Sequence, residues 1–255
     1  MKLGLCGGAE HIEVVKKLGF DYMEMAASTI EAMNEQEFAA LAVANQAARC
    51  ESFEGIKTSN GMFPGTLVLV GPARDERAIE DYLDILMPRL AQLGVERLVF
   101  GSGGARRVPE GFDRAEAWAQ LVATARFAAK KAEPYGIRIG MEHLNGAETN
   151  ILTSFAETAV FAREADVGVT LDFYHLLREC EGADELKQAA QVVWHCHTCG
   201  SDRAGLADRD FFFLSAQKRA LEAIGYTGRI SLEAALKEYE TDAAASLAVL
   251  RKVWN

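Results

Sequence analysis

No stretch of this 255-residue chain approaches the roughly 18 consecutive apolar residues that a membrane helix needs. The amino-terminal MKLGLCGGAEH meets Gly, Glu and His before a signal-type apolar segment forms. Neither export nor a membrane partner is expected, and the reading is a soluble cytoplasmic protein. Cysteine is sparse and odd in number: Cys6, Cys50, Cys180, Cys196 and Cys199 lack the spacing of a disulfide framework and read as reduced thiols. Basic residues are also short. The 27 Lys and Arg are outnumbered by 37 Asp and Glu, giving a formal charge of −10. That argues against a nucleic-acid partner, because nonspecific affinity for phosphate backbones rests on cations replacing counterions. A small polar substrate fits better. Linkers, low-complexity tracts and helical repeats are missing too, so residues 1–255 read as one domain.

What is present is alternation. Short β-rich runs near residues 2–6, 21–25, 51–57, 96–100, 137–142, 168–172, 192–197 and 229–233 are each followed by a helical stretch. Two helices are well marked: Glu76 to Leu93, stopped by Gly94, and Arg114 to Tyr135, after the Pro109 to Phe112 loop. Strand-helix alternation implies parallel strands with right-handed crossovers, and eight units of about 30 residues match a closed (β/α)8 barrel of the TIM type. An open doubly wound sheet is the rival, but LGLCGGAEH lacks the GxGxxG spacing that opens many such folds.

In a barrel, active-site groups gather at the carboxyl ends of the strands. There the sequence places Glu142 in RIGMEHLN, Asp172 and His175 in TLDFYH, His197 in VWHCHT and Glu233 in ISLEA. Buried carboxylates repel one another unless protons or a cation compensate, and three carboxylates with an imidazole suit a divalent ion such as Mg or Mn. Along the strand, His195 and His197 point the same way, His195 roughly 6–7 Å deeper. His197 is the better ligand candidate, with His195 expected to support it.

The ordered series MEHLNGAETNIL, VGVTLDFYH, HCHTCGSDR and the late Glu233 resembles the xylose isomerase-like sugar isomerase and epimerase superfamily, most of all its ketose 3-epimerase branch. The resemblance runs from about Gly94 onward in motif order, and the amino-terminal part shares it only by fold pattern. It implies that Glu142, Asp172, His197 and Glu233 hold one Mn, Mg or Co ion, that Glu148, His175 and Arg203 contact substrate, and that Glu142 and Glu233 also form the acid/base pair. The implied reaction is proton transfer beside a carbonyl through a metal-stabilised enediolate, on a small sugar or sugar-derived acid. An inosose dehydratase-like lyase or a hydroxypyruvate isomerase on the same scaffold is the alternative. Homo-oligomers are common in that superfamily, so one is an open expectation. A three-zinc nuclease on the same barrel would need more histidine than the five present. Two positions depart from the epimerase pattern: Gly200, where an acidic residue is common, and Asp202, where Asn is usual.

Four local features remain. FGSGGARRVPEG, Phe100 to Gly111, joins a glycine-rich turn to Arg106 and Arg107, which form either a mobile loop with solvated arginines or a site for a substrate phosphate or carboxylate. Cys196 and Cys199 have CxxC spacing without a second pair to complete a zinc cluster, and read as structural. Glu24 either enters the pocket or anchors a loop. The run Phe211 to Phe213 is expected to pack against the barrel.

Overall fold

The computed structural model describes residues 1–182, 186, 187 and 190–254. Eight parallel strands pair in sequence order, and the last closes onto the first. They are β1 (Lys2–Cys6), β2 (Tyr22–Ala26), β3 (Ile56–Asn60), β4 (Arg97–Phe100), β5 (Arg138–Glu142), β6 (Gly168–Asp172), β7 (Val193–Thr198) and β8 (Arg229–Leu232). Helices α1 (Ile12–Leu18), α2 (Ala27–Ala32), α3 (Glu35–Ala48), α4 (Glu76–Leu93), α5 (Arg114–Ala132), α6 (Phe155–Ala165), α7 (Phe173–Arg178), α8 (Phe211–Ala223) and α9 (Tyr239–Trp254) fill the connections. The expected (β/α)8 barrel is what forms. No helix among the described residues is long and apolar enough to cross a membrane.

Local chemistry explains the elements. At the start of α4, the Asp75 carboxylate accepts from the amides of Arg77 and Ala78. Ile79, Leu83, Leu86 and Leu90 recur every three or four residues and are buried. Gly94 then ends the helix at φ 81°, a left-handed conformation that suits glycine. The expected Glu76 to Leu93 span is met. The longer helix expected to reach Tyr135 instead stops at Ala132 and tightens into a single 3-10 turn over Glu133–Tyr135.

The third strand lies later than expected, at Ile56–Asn60 rather than 51–57. Residues Cys50 and Phe53 close a tight turn through reciprocal backbone hydrogen bonds, and Gly55 adopts φ 79° before the strand begins. The strand itself reads IKTSN, too polar to stand out in a hydrophobicity scan.

That polarity is a property of the barrel interior. Branched apolar side chains usually fill a barrel of this kind, but here Tyr22, Glu24, Thr58, His195 and Ser231 meet in one hydrogen-bonded set. The apolar core lies outside the barrel, between strand residues such as Met23, Leu98 and Val169 and the helices. Fully burying one such side chain contributes about 1.5–3 kcal/mol.

Candidate active site

Four consecutive strands end in the residues the sequence singles out. Glu142 closes β5 and Asp172 closes β6, while His197 lies one residue before the end of β7 and Glu233 follows β8. One ligand atom from each lies within 4.8 Å of the others. His197 Nδ1 sits 3.0 Å from Glu142 Oε1 and 3.4 Å from Glu233 Oε2. Glycine makes the approach possible: a Cβ at Gly101, just past β4, would lie 2.3 Å from Glu142 Oε2.

The cluster is short of positive charge. Burial, reinforced by the Glu142 and Glu233 charges, pushes the Asp172 carboxyl up to about 7. Burial also raises Glu142, with the neighbouring Glu233 charge acting in the same direction and His197 opposing it. Burial works against a charged His197 and an ionised Glu233 as well, yet in both it is outweighed. Glu24 and Glu233 hold the imidazole well above its ordinary value, and His197 with Arg203 holds Glu233 down to about 2. Hard oxygen donors plus one imidazole, competing for too few cations, fit a divalent ion of the Mg, Mn or Co kind.

The expected substrate contacts border this cluster. Arg203 Nη2 donates to Glu233 Oε2 at 2.9 Å, and Nη1 lies 3.7 Å from Asp172 and 4.0 Å from Glu148. Its backbone holds φ 61°, rare for a residue with a side chain, fixed by bonds from its amide to Gly200 and from Ala235 to its carbonyl. His175 Nδ1 accepts from the backbone amide and side-chain amide of Asn145, at 3.1 and 3.0 Å. The imidazole proton therefore sits on Nε2, 3.4 Å from Asp172 Oδ2. Asn145 also donates to Glu148 Oε1 at 2.8 Å.

Some supporting residues differ from expectation. His195 does not bond His197; its Nε2 donates to Glu24, and the two imidazoles stand perpendicular with centroids 5.0 Å apart. Glu24 is the residue that bridges both histidines, which resolves its open role in favour of the barrel interior. Arg106 is no anion site. It is fully buried, and its guanidinium donates to the carbonyls of Phe100 and Glu142, tying the end of β4 to the end of β5. Arg107 is exposed and reaches the Ala147 carbonyl at 3.3 Å. Cys196 and Cys199 are both buried free thiols, as a structural role requires. Phe211 and Phe212 are exposed, Phe212 by 83 %, so that run is not core as expected; only Phe213 packs inward.

Asn60, at the end of β3, donates to Glu233 Oε1 at 2.8 Å. Sequence reasoning passes it over because it places the strand too early.

The sequence model of the xylose isomerase-like TIM barrel matches residues 12–253. This chain belongs to the xylose isomerase-like TIM barrel family. Its relatives include a D-psicose 3-epimerase of Ruminiclostridium cellulolyticum, 28% identical over 236 residues that cover 88% of this chain and 76% of that one. A D-psicose 3-epimerase of Agrobacterium fabrum is also 28% identical, over 89% of this chain and 79% of its own. A D-psicose 3-epimerase solved in the presence of D-fructose superposes with a TM-score of 0.85 at 23% identity, covering 99% of both chains. In this xylose isomerase-like barrel Gly200 sits in a crowded turn. A Cβ there would meet the Asp202 side chain at 3.0 Å and the carbonyl oxygens of Ala204 and Gly205 at 3.1 and 3.3 Å. A side chain at Gly200 would therefore need the turn that presents Arg203 to give by a few tenths of an ångström.

Proposed function

We propose that this chain is a divalent-metal-dependent sugar isomerase or epimerase of the ketose 3-epimerase kind, moving a proton on a carbon beside a ketose carbonyl. The observation that carries the reading is the convergence of Glu142, Asp172, His197 and Glu233 within 4.8 Å at the carboxyl ends of adjacent strands. Relatives named D-psicose 3-epimerase support the same chemistry. A Mn, Mg or Co ion held by those four residues would supply a Lewis acid toward the substrate oxygens.

The chain's own groups do the rest. Glu142 reaches in from β5 and Glu233 from β8, a carboxylate from each side of the pocket, one to take a proton and the other to return one. Removal from C3 and return to its opposite face gives the epimer; removal from C1 and return to C2 gives the aldose. Arg203 steers the Glu233 carboxylate through its 2.9 Å bond and, with the Nε2–H of His175 and the carboxylate of Glu148, binds substrate hydroxyls. The proposal extends to a small sugar or sugar-derived acid as substrate, a homo-oligomer and a cytoplasmic setting, the last supported by five free thiols.

The test is solvent exchange. Purified protein with Mn is incubated in heavy water with D-psicose, D-fructose, other free ketoses, hydroxypyruvate and inososes, and followed by NMR. Deuterium beside the carbonyl together with a new ketose epimer is the expected result. Exchange accompanied by loss of water would move the assignment to a dehydratase, and a product from hydroxypyruvate alone to that isomerase. No exchange with any free ketose would overturn the epimerase reading.

A further inference from the structure

The Glu24 carboxylate lies at the centre of the barrel with no solvent exposure, and its two oxygens are used differently. Oε2 accepts three hydrogen bonds: from the Thr58 hydroxyl at 2.7 Å, the Ser231 hydroxyl at 2.5 Å and His195 Nε2 at 2.8 Å. The Ser231 hydroxyl is held in turn by Tyr22, 2.8 Å away. Oε1 has one partner among the described residues, His197 Nε2, at 2.8 Å. Donors from β3, β7 and β8 thus anchor one oxygen and aim the other at the histidine of the candidate metal cluster. A carboxylate with its other oxygen already taken by three donors offers His197 Nε2 an acceptor, and Nδ1 faces Glu142 and Glu233, where a cation would take the place of its proton.

We infer that Glu24 is the positioning residue of the metal site: it fixes His197 in the tautomer and orientation in which Nδ1 is the ligand atom. The inference rests on the metal reading above and adds to it a residue outside the ligand set. It also gives a reason for the polar interior, since Tyr22, Thr58, His195 and Ser231 satisfy a carboxylate whose work is done one layer higher. Glu24, His195 and His197 themselves lie close enough to hold an ion. In that arrangement His197 would ligate through Nε2, and both histidines would have to give up their hydrogen bonds to Glu24.

Glu24→Gln is the informative change. With hydroxyl and imidazole donors claiming the amide oxygen, the amide NH2 falls opposite His197 Nε2 and meets it as a second donor. His197 then moves its proton to Nδ1, the side that faces the ion. Metal affinity is measured by titrating Mn into the wild type and each variant, and the His197 tautomer by long-range 1H-15N NMR of the Zn-loaded wild type.

Losing a partner of a metal-bound histidine weakens affinity about 10–100-fold, so Glu24→Gln is expected in that range, with His195→Gln and Thr58→Val within about threefold of wild type. The wild-type spectrum is expected to show the proton on Nε2. Wild-type affinity in a folded Glu24→Gln, or a proton on Nδ1 in the loaded wild type, overturns the inference while the metal site stands. Loss of binding in His195→Gln overturns it in favour of the deeper triad. Should Glu24→Gln fail to fold, the wild-type spectrum decides alone. Absence of Mn binding by the wild type would sink the metal reading itself, and this inference with it.

Discussion

At the scale of single residues, the weight falls on two carboxylates. Glu142 and Glu233 approach the same imidazole nitrogen from β5 and β8, so replacing either with Gln keeps the shape of the pocket and removes one of the two proposed proton carriers. Turnover is expected to fall by about 10²–10⁴-fold in each, the usual worth of a positioned acid or base. Glu148→Gln should chiefly raise KM, since Glu148 lies at the rim, reaching Asn145 and Arg203 rather than the ligand cluster. Steady-state kcat and KM on a turned-over ketose check all three, and normal turnover in Glu142→Gln or Glu233→Gln would sink the acid/base assignment. The sequence makes these residues legible because each stands at the end of a strand in a motif with fixed spacing. Glu24 and Arg106 are less legible. Glu24 reads equally well as a pocket residue or a loop anchor and Arg106 as an anion ligand or a solvated arginine, and only the fold reveals that Glu24 accepts from four donors or that Arg106 points inward to the Glu142 carbonyl.

At the scale of elements, α4 does more than cover the barrel. Arg89, nearly buried within it, donates through Nη1 to the carbonyls of Ile30, Glu31 and Met33, the end of α2, and through Nη2 to Glu35 at the start of α3. It caps one helix and joins it to the next two. Arg89→Met keeps the aliphatic stem and leaves those carbonyls without a donor, at a cost of about 1–3 kcal/mol. The expected outcome is a melting temperature lower by several degrees, about 2–4 °C per kcal/mol in a chain of this size, with kcat unchanged at lower temperature. An unaltered Tm would mean that water replaces the guanidinium at no cost. Such cross-element ties are invisible in sequence, whereas the element itself is not: Asp75, the apolar spacing and Gly94 define α4 to the residue. The displaced third strand marks the opposite case. Its inward residues Thr58 and Asn60 serve Glu24 and Glu233, so function removed the apolar signal by which a strand is recognised.

At the scale of the whole molecule, the site and the fold are one object. Its four ligand candidates close four adjacent strands, half of the barrel. An ion that binds only when those strand ends are in register binds the native state and not the unfolded chain, so it stabilises the fold by mass action. At a free metal concentration a hundred times Kd the gain is about 2.7 kcal/mol. For a chain of this size that is roughly 5–11 °C in Tm. Thermal melts with Mn and after verified metal removal should differ by that amount, with activity lost on removal and regained on adding Mn back. Glu233→Gln supplies the control, because it takes away a candidate ligand without disturbing the apolar core. Its metal-dependent shift should shrink, while its metal-free Tm stays near that of the metal-free wild type. Equal Tm and equal activity with and without the ion in the wild type would count against the site. An Mn-dependent shift that persists undiminished in Glu233→Gln would place the ion elsewhere, and the deeper Glu24, His195 and His197 cluster is the arrangement of donors that would then have to hold it.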